Sequence, residues 1–426
     1  MIVKASASTG PRLIATPANA AVDQAVRITI DGLKAGERVT VRAEQQRFGF
    51  PLRSEATFIA DSHGRVFVDK DAPVSGDYSG VDPMGIVWSM KLAGKPQDTS
   101  FKPEGEIAQF DITLKLLSGS RLLATSALHR YVVASSLIHR EIDRNGLVAA
   151  YFAPRDGAKH PAVVILNGSD GGLQRDTAAL LAGHGYCTLA VAYFGIGSLP
   201  KYLGDIPVET VVRAITALQA MPEVDGKRIG VMGFSKGAEL ALLSASHLGS
   251  LKAVVAYAPS SVVFAGITPQ KVKESSWTLR GKPFPFADGP VPATLSQRID
   301  KAFALNQPVE YAPWYLAKLS GANAGASIPV ELIRGPVMLI AGGDDRLWPS
   351  SVMARQIAAR LRKLNHRYAD ESLIYPKAGH AIDAPYVPTP HTVSAGSLLL
   401  GGTAPANASA DIDSWKRVLA FLRARL

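Results

Sequence analysis

Three short stretches carry residue types suited to attacking an acyl carbon. They are Gly233-Phe-Ser-Lys-Gly237, Gly342-Gly-Asp-Asp-Arg346 and Ala378-Gly-His380. A serine hydroxyl is a weak nucleophile until a base in reach takes its proton, and imidazole is the usual base. Ser235 is therefore the candidate nucleophile and His380 the candidate base. An acid must hold the imidazole in one tautomer, and Asp344 and Asp345 both qualify by position. Asp345 is preferred, because two residues separate it from Trp348 and then Pro349. Asp344 is expected to cap the loop or to accept backbone N–H bonds. Charge that develops on the attacked oxygen needs two backbone donors. The amide of Lys236 is one candidate. The other is Ser169, ahead of Asp170, in the loop Asn167-Gly-Ser-Asp-Gly-Gly172. The Lys236 side chain has two readings, a pair with Glu239 three residues on or a contact with an anionic substrate. A helix-surface pair is favoured, since residues three apart are neighbours on a helix.

These residues need elements that bring them together. An apolar run, Arg228-Ile-Gly-Val-Met232, precedes the serine, and Ala238-Glu-Leu-Ala-Leu-Leu243 follows it. That reads as strand, sharp turn and helix, a turn so tight that the positions two before and two after Ser235 must be small. The order Ser, Asp, His is the chain order of an α/β-hydrolase triad. From Ile138 onward strands and helices alternate. Strands are expected at 147–152, 162–166, 186–191, 253–257, 336–341 and 372–375. Helices are expected at 177–184, 208–221, 351–364 and 411–426, with Asp411 and Asp413 in the first turn of the last. Such alternation predicts a mostly parallel sheet covered on both faces. Residues 259–330, rich in Pro, Gly, Ser and Lys, break the rhythm and read as a cap over the carboxyl ends of the strands. Before residue 138 the pattern is short period-2 segments at 26–30, 38–42, 56–60, 108–114, 122–125 and 132–134, broken by turn residues. This predicts a β-sandwich domain over 1–137 ahead of a catalytic domain over 138–426.

Composition narrows the function classes. The chain has 426 residues and one cysteine, which excludes an internal disulfide and a thiolate zinc cluster. Cys187 lies in an apolar strand pattern and reads as a buried structural thiol. No apolar run is long enough to span a bilayer, and no secretory signal is recognised. Net charge is +10, and residues 1–135 hold 16 Lys+Arg against 14 Asp+Glu. The surplus lies with the catalytic half, where it would attract a polyphosphate-bearing substrate. Dense basic runs and aromatic-basic motifs are missing, which argues against nucleic-acid binding.

With these residues in hand, the chain resembles the acyl-CoA thioesterase / bile acid-CoA:amino acid N-acyltransferase family. Gly76-Asp-Tyr-Ser-Gly-Val-Asp-Pro-Met-Gly-Ile-Val-Trp-Ser-Met90 is similar to a stretch specific to that family's first domain. Gly168–Leu173, Asp344-Asp-Arg-Leu-Trp-Pro-Ser350 and Tyr375-Pro-Lys-Ala-Gly-His380 with Ala384-Pro-Tyr386 resemble its Gly-rich, acid and histidine loops. The resemblance implies an immunoglobulin-like sandwich followed by an α/β-hydrolase domain, an acyl-CoA substrate, no cofactor, and Asp345 as the triad acid. It also implies a division at the nucleophile, with cysteine in the transferases and serine in the thioesterases. Ala424-Arg-Leu426 resembles a degenerate peroxisomal tripeptide. It is also the end of a basic amphipathic helix, which is the favoured reading, with a cytoplasmic location.

The leading expectation is a serine thioesterase acting on an acyl thioester. An acyltransferase using an amine or alcohol acceptor, or a carboxylesterase, is the second. A non-catalytic binding protein on a hydrolase scaffold is the third and is disfavoured, because such proteins usually lose a triad member.

Overall fold

The computed structural model of the protein describes residues 10–47, 50–94, 109–269 and 273–426. They fall into two compact units. One runs to Val132 and includes Pro385–His391; the other comprises Val133–Ala384 and Thr392–Leu426.

The first unit is built from two mostly antiparallel sheets. One holds Arg12–Thr16, Arg27–Asp31 and Val66–Phe67. The other orders Asn19–Ala21, Arg121–Tyr131, Gln109–Ser118, Arg38–Arg47 and Phe50–Ile59, with Ser75–Gly76 and Lys91–Leu92 against the last. Strand Arg38–Arg47 alternates between buried and less buried residues along most of its length, as a half-buried strand must. Ala108 of the expected strand 108–114 lies outside the described residues. The segment 132–134 is not a strand; the sheet ends at Tyr131 and the chain turns. The second half of the stretch Gly76–Met90 lies in the core of this unit, while Ser79, Gly80 and Val81 are exposed. Its four-residue helix Gly85–Trp88 is buried, and Met84 and Met90 are buried beside it. Asp82 ties the turn, accepting from Met84 N–H and Trp88 Nε1–H at 2.8 Å each.

The second unit carries an eight-stranded sheet. In order it holds Leu137–Arg144, Leu147–Pro154, Cys187–Ala192, His160–Leu166, Val224–Phe234, Val254–Tyr257, Val337–Gly342 and Glu371–Tyr375. The last six are mutually parallel, and Leu147–Pro154 is antiparallel to both of its neighbours. The first strand did not stand out in the sequence, because it is an edge strand exposed on both faces, polar at His139, Arg140, Glu141, Asp143 and Arg144 with only Leu137 and Ile142 buried. Cys187–Ala192, Val254–Tyr257 and Val337–Gly342 are buried at every position, as is the Ala162–Leu166 part of its strand, which is why these segments read as apolar runs. Cys187 lies in one of them, and burial pushes its thiol up to about 11.

The C-terminal helix is longer than its apolar stripe indicates. It spans Ala404–Arg425, with Thr403 as N-cap and a proline in the first turn. Pro405 there is a helix starter rather than a breaker. Asp411 and Asp413 are consequently in the helix interior, not its first turn. Asp413 pairs with Arg417 at 2.7 Å and Asp411 is buried.

Candidate active site

Five adjacent parallel strands, from His160–Leu166 to Glu371–Tyr375, end at one edge of the sheet, and the loops after all but the middle one, Val254–Tyr257, carry the candidate residues. Ser235 follows Val224–Phe234 and opens helix Lys236–Leu248. Its backbone sits at φ 54°, ψ −117°, a conformation that costs a non-glycine residue about 1–3 kcal/mol. The surroundings enforce it. Ser235 N–H donates to Tyr257 O of the neighbouring strand at 2.9 Å. A Cβ on Gly233 would overlap the carbonyl of Gly237, and one on Gly237 would overlap the carbonyls of Leu166 and Asn167. Only glycine fits at either place, so the strand, the turn and the Gly-rich loop are locked together.

Asp345 follows Val337–Gly342, and His380 follows Glu371–Tyr375. The structure brings both to the serine. His380 Nε2 lies 3.0 Å from Ser235 Oγ, and His380 Nδ1 lies 2.8 Å from Asp345 Oδ2. The Asp345 side chain is 1% exposed. Its carboxylate also accepts from Leu347 N–H at 3.0 Å, Trp348 N–H at 3.1 Å and Ser350 Oγ–H at 2.5 Å. These donors fix the face it turns to the imidazole. Asp344 points elsewhere. It accepts from Gly402 N–H at 3.0 Å and pairs with Arg346 at 3.0 Å, both side chains being exposed. Trp348 packs edge-on against the His380 ring, with centroids 5.9 Å apart.

Ser169 and Lys236 line the same cavity as Ser235. Lys236 is the first residue of its helix, so its N–H is among the amides without an intrahelical acceptor. The Gly-rich loop is held by Tyr193, whose hydroxyl lies 2.5 Å from Asn167 O and 3.1 Å from Gly168 O. Burial drives that phenol well above its ordinary range, so it remains a donor.

The Lys236 side chain pairs with Glu239, but not on a helix surface. Both are buried, with Nζ 2.8 Å from each carboxylate oxygen. Glu239 also accepts from Trp277 Nε1–H at 2.8 Å and Phe264 N–H at 3.1 Å. Both donors come from the 259–330 segment, and their rings flank the Lys236 ammonium. Burial pulls the Lys236 ammonium down and pushes the Glu239 carboxyl up, and mutual attraction opposes both shifts. That segment also lines the cavity, about 560 Å³ in volume, through Phe264, Tyr311, Trp314 and Tyr315 together with Lys273, Asp288 and Lys318.

One connection was invisible in the sequence. The carbonyl of Leu400 accepts from His380 N–H at 2.9 Å and from Arg346 N–H at 3.2 Å, joining the histidine and acid loops through a segment distant from both in the chain. The Gly401-Gly402 pair was its only local signal. Among the described residues no cluster of His, Cys, Asp and Glu is arranged to hold a metal. No described helix is long and apolar enough to cross a membrane.

Two family profiles match the chain. "BAAT / Acyl-CoA thioester hydrolase C terminal" matches residues 206–426, and "Acyl-CoA thioester hydrolase/BAAT N-terminal region" matches residues 23–144. Among curated proteins, acyl-coenzyme A thioesterase 5 of Mus musculus is 31% identical, over 95% of this chain and 94% of its own length. Acyl-coenzyme A thioesterase 1 of Homo sapiens is 30% identical, again over 95% and 94%. Peroxisomal succinyl-coenzyme A thioesterase of Mus musculus is 29% identical, over 94% and 93%.

Proposed function

The chain belongs to the acyl-CoA thioester hydrolase/BAAT family, and on that premise we propose that it is a serine thioesterase that hydrolyses an acyl-CoA to the free acid and CoA. The observation that carries this reading is the continuous relay from Ser235 Oγ through the two nitrogens of His380 to Asp345, at 3.0 and 2.8 Å.

His380 Nε2 takes the proton of Ser235 as Oγ attacks the thioester carbonyl carbon. The carbonyl electron pair moves onto oxygen, where the amides of Lys236 and Ser169 stabilise it. The tetrahedral intermediate collapses, the C–S bond breaks, and His380 Nε2–H protonates the departing CoA sulfur. Asp345 accepts the Nδ1–H bond throughout and steadies the imidazolium. The product of this half is an oxyester on Ser235. His380 then deprotonates a water, the hydroxide adds to the ester carbonyl, and collapse returns the proton to Ser235 Oγ and releases the acid. The aromatic side of the cavity suits the acyl group, and the basic surplus of this half suits the CoA phosphates.

The test is a panel of acyl-CoAs with detection of free CoA, run on wild type and Ser235→Ala, with and without glycine or taurine. The expected outcome is CoA release with free acid as product, abolished by Ser235→Ala. Predominantly amide product at modest amine levels would replace this reading with acyl transfer.

A further inference from the structure

The loop that carries His380 is held from outside the triad by one face of the C-terminal helix Ala404–Arg425. Asn407 and Asp411 are four residues apart, hence about one turn along the same face. Asn407 Oδ1 accepts Gly379 N–H at 2.9 Å, and Asp411 Oδ1 accepts Asp383 N–H at 2.9 Å. The two bonds bracket His380, one just before it and one just after. Neither side chain is a surface group: Asn407 is 0% exposed and Asp411 2%. The Asn407 amide is also fixed in direction. Its Nδ2–H donates to Thr392 Oγ1 at 2.8 Å, so its oxygen must face Gly379. Gly402 packs so closely that a Cβ there would overlap Asn407 Oδ1.

Such burial is costly on a helix whose other buried positions, Ser414 apart, are apolar, among them Trp415, Val418, Phe421 and Leu422. A buried carboxyl loses solvation, and burial, with the Asp383 carboxyl nearby, drives Asp411 well above its ordinary range. Apolar residues would cover the same surface but would leave two loop amides without acceptors. We propose that Asn407 and Asp411 are positioning residues for His380, fixing the loop backbone so that one imidazole reaches Ser235 and Asp345 together. The proposal rests on the reading of His380 as general base. The relay has little slack, since a displacement of about 1 Å breaks one bond or the other and costs on the order of 10²-fold in rate.

The experiment compares Asn407→Ala, Asp411→Ala and Asp411→Asn in the full chain, each in wild-type and His380→Ala backgrounds. Acyl-CoA turnover and the rate of fluorophosphonate labelling at Ser235 are the readouts. The alanine variants are expected to lower kcat on the order of 10- to 100-fold with KM within about twofold. Asp411→Asn keeps an acceptor for Asp383 N–H and is expected to retain most of the turnover. In the His380→Ala background the alanine substitutions should cost less than about twofold more, because the group they position is gone. Equal losses in both backgrounds, or a change in KM alone, would overturn the proposal. If the alanine variants do not fold, Thr392→Val decides the Asn407 half. It frees the amide to turn and should lower kcat by about threefold at unchanged melting temperature; unchanged kcat would overturn that half. Full activity in His380→Ala itself would instead defeat the functional reading.

Discussion

At the scale of single residues, the two adjacent aspartates are separated by what they touch. Asp345 is buried and meets the imidazole, and Asp344 is exposed and meets a backbone amide and an arginine. Ser235→Ala and His380→Ala are each expected to cut turnover by on the order of 10³-fold or more. Asp345→Asn puts an amide N–H₂ among donors and favours the wrong tautomer, and should cost about 10²–10⁴-fold. Asp344→Asn keeps the acceptor for Gly402 N–H and loses only an exposed ion pair, so kcat should change by less than about fivefold. Steady-state kinetics on folded variants checks this, and the reverse ranking of the two aspartates would exchange their roles. Nucleophile chemistry gives a second outcome. Ser235→Cys makes the acyl-enzyme a thioester, which amines attack more readily than an oxyester. The amide-to-acid product ratio at fixed glycine or taurine, measured by mass spectrometry, should rise in this variant if an amine enters the cavity. Acid alone from both proteins would place amine exclusion in the pocket walls.

At the scale of elements, the nucleophile helix and the 259–330 segment are joined through one buried carboxylate. Glu239 serves Lys236, Trp277 and Phe264 at once. Removing one partner of a buried pair leaves an uncompensated charge, so Glu239→Ala should destabilise by about 3–5 kcal/mol. At about 2–4 °C per kcal/mol, the thermal midpoint should fall by roughly 10 °C. Lys236→Met/Glu239→Leu should recover part of this and not all. The charge problem vanishes, but two N–H donors stay unpaired at about 1–3 kcal/mol each. Calorimetry on the three proteins checks the order; a midpoint for Glu239→Ala equal to wild type would show that the carboxylate does not join the two elements.

At the scale of the whole molecule, the net charge of +10 is unevenly shared, with 16 basic and 14 acidic residues before position 136. The catalytic half therefore carries most of the surplus, and its field should raise the encounter rate with a polyanionic substrate. Salt shortens the reach of that field to roughly 10 Å at 0.1 M and less above it. The kcat/KM for an acyl-CoA should fall as salt rises, while an acyl-pantetheine lacking the nucleotide should respond less. Stopped-time assays of the two substrates across an ionic-strength series measure this, and equal slopes would remove the case for steering of the CoA phosphates.

Ser235, Asp345 and His380 were legible because each lies in a local pattern that its chemistry requires: a glycine-flanked turn between strand and helix, and loops that follow late apolar strands. Ala162–Leu166 and Val337–Gly342 were legible as strands because their full burial forces uninterrupted apolar residues. Both are short-range constraints, written within a dozen consecutive positions. What only the tertiary structure decided is which polar groups meet across the chain. Lys236 and Glu239 were a foreseeable helix pair, but their burial came from Phe264 and Trp277, which no local rule places there. The start of the last helix was missed because Ala404–Ala410 shows no apolar stripe. Its Asn407 and Asp411 look like solvent-facing residues until the histidine loop is laid against them. A hydrogen bond is satisfied by any partner with the right geometry, so the residue type alone does not say which partner it is. Folding makes that choice, when covering the sheet's edge brings Leu400, Asn407 and Asp411 onto the backbone around His380.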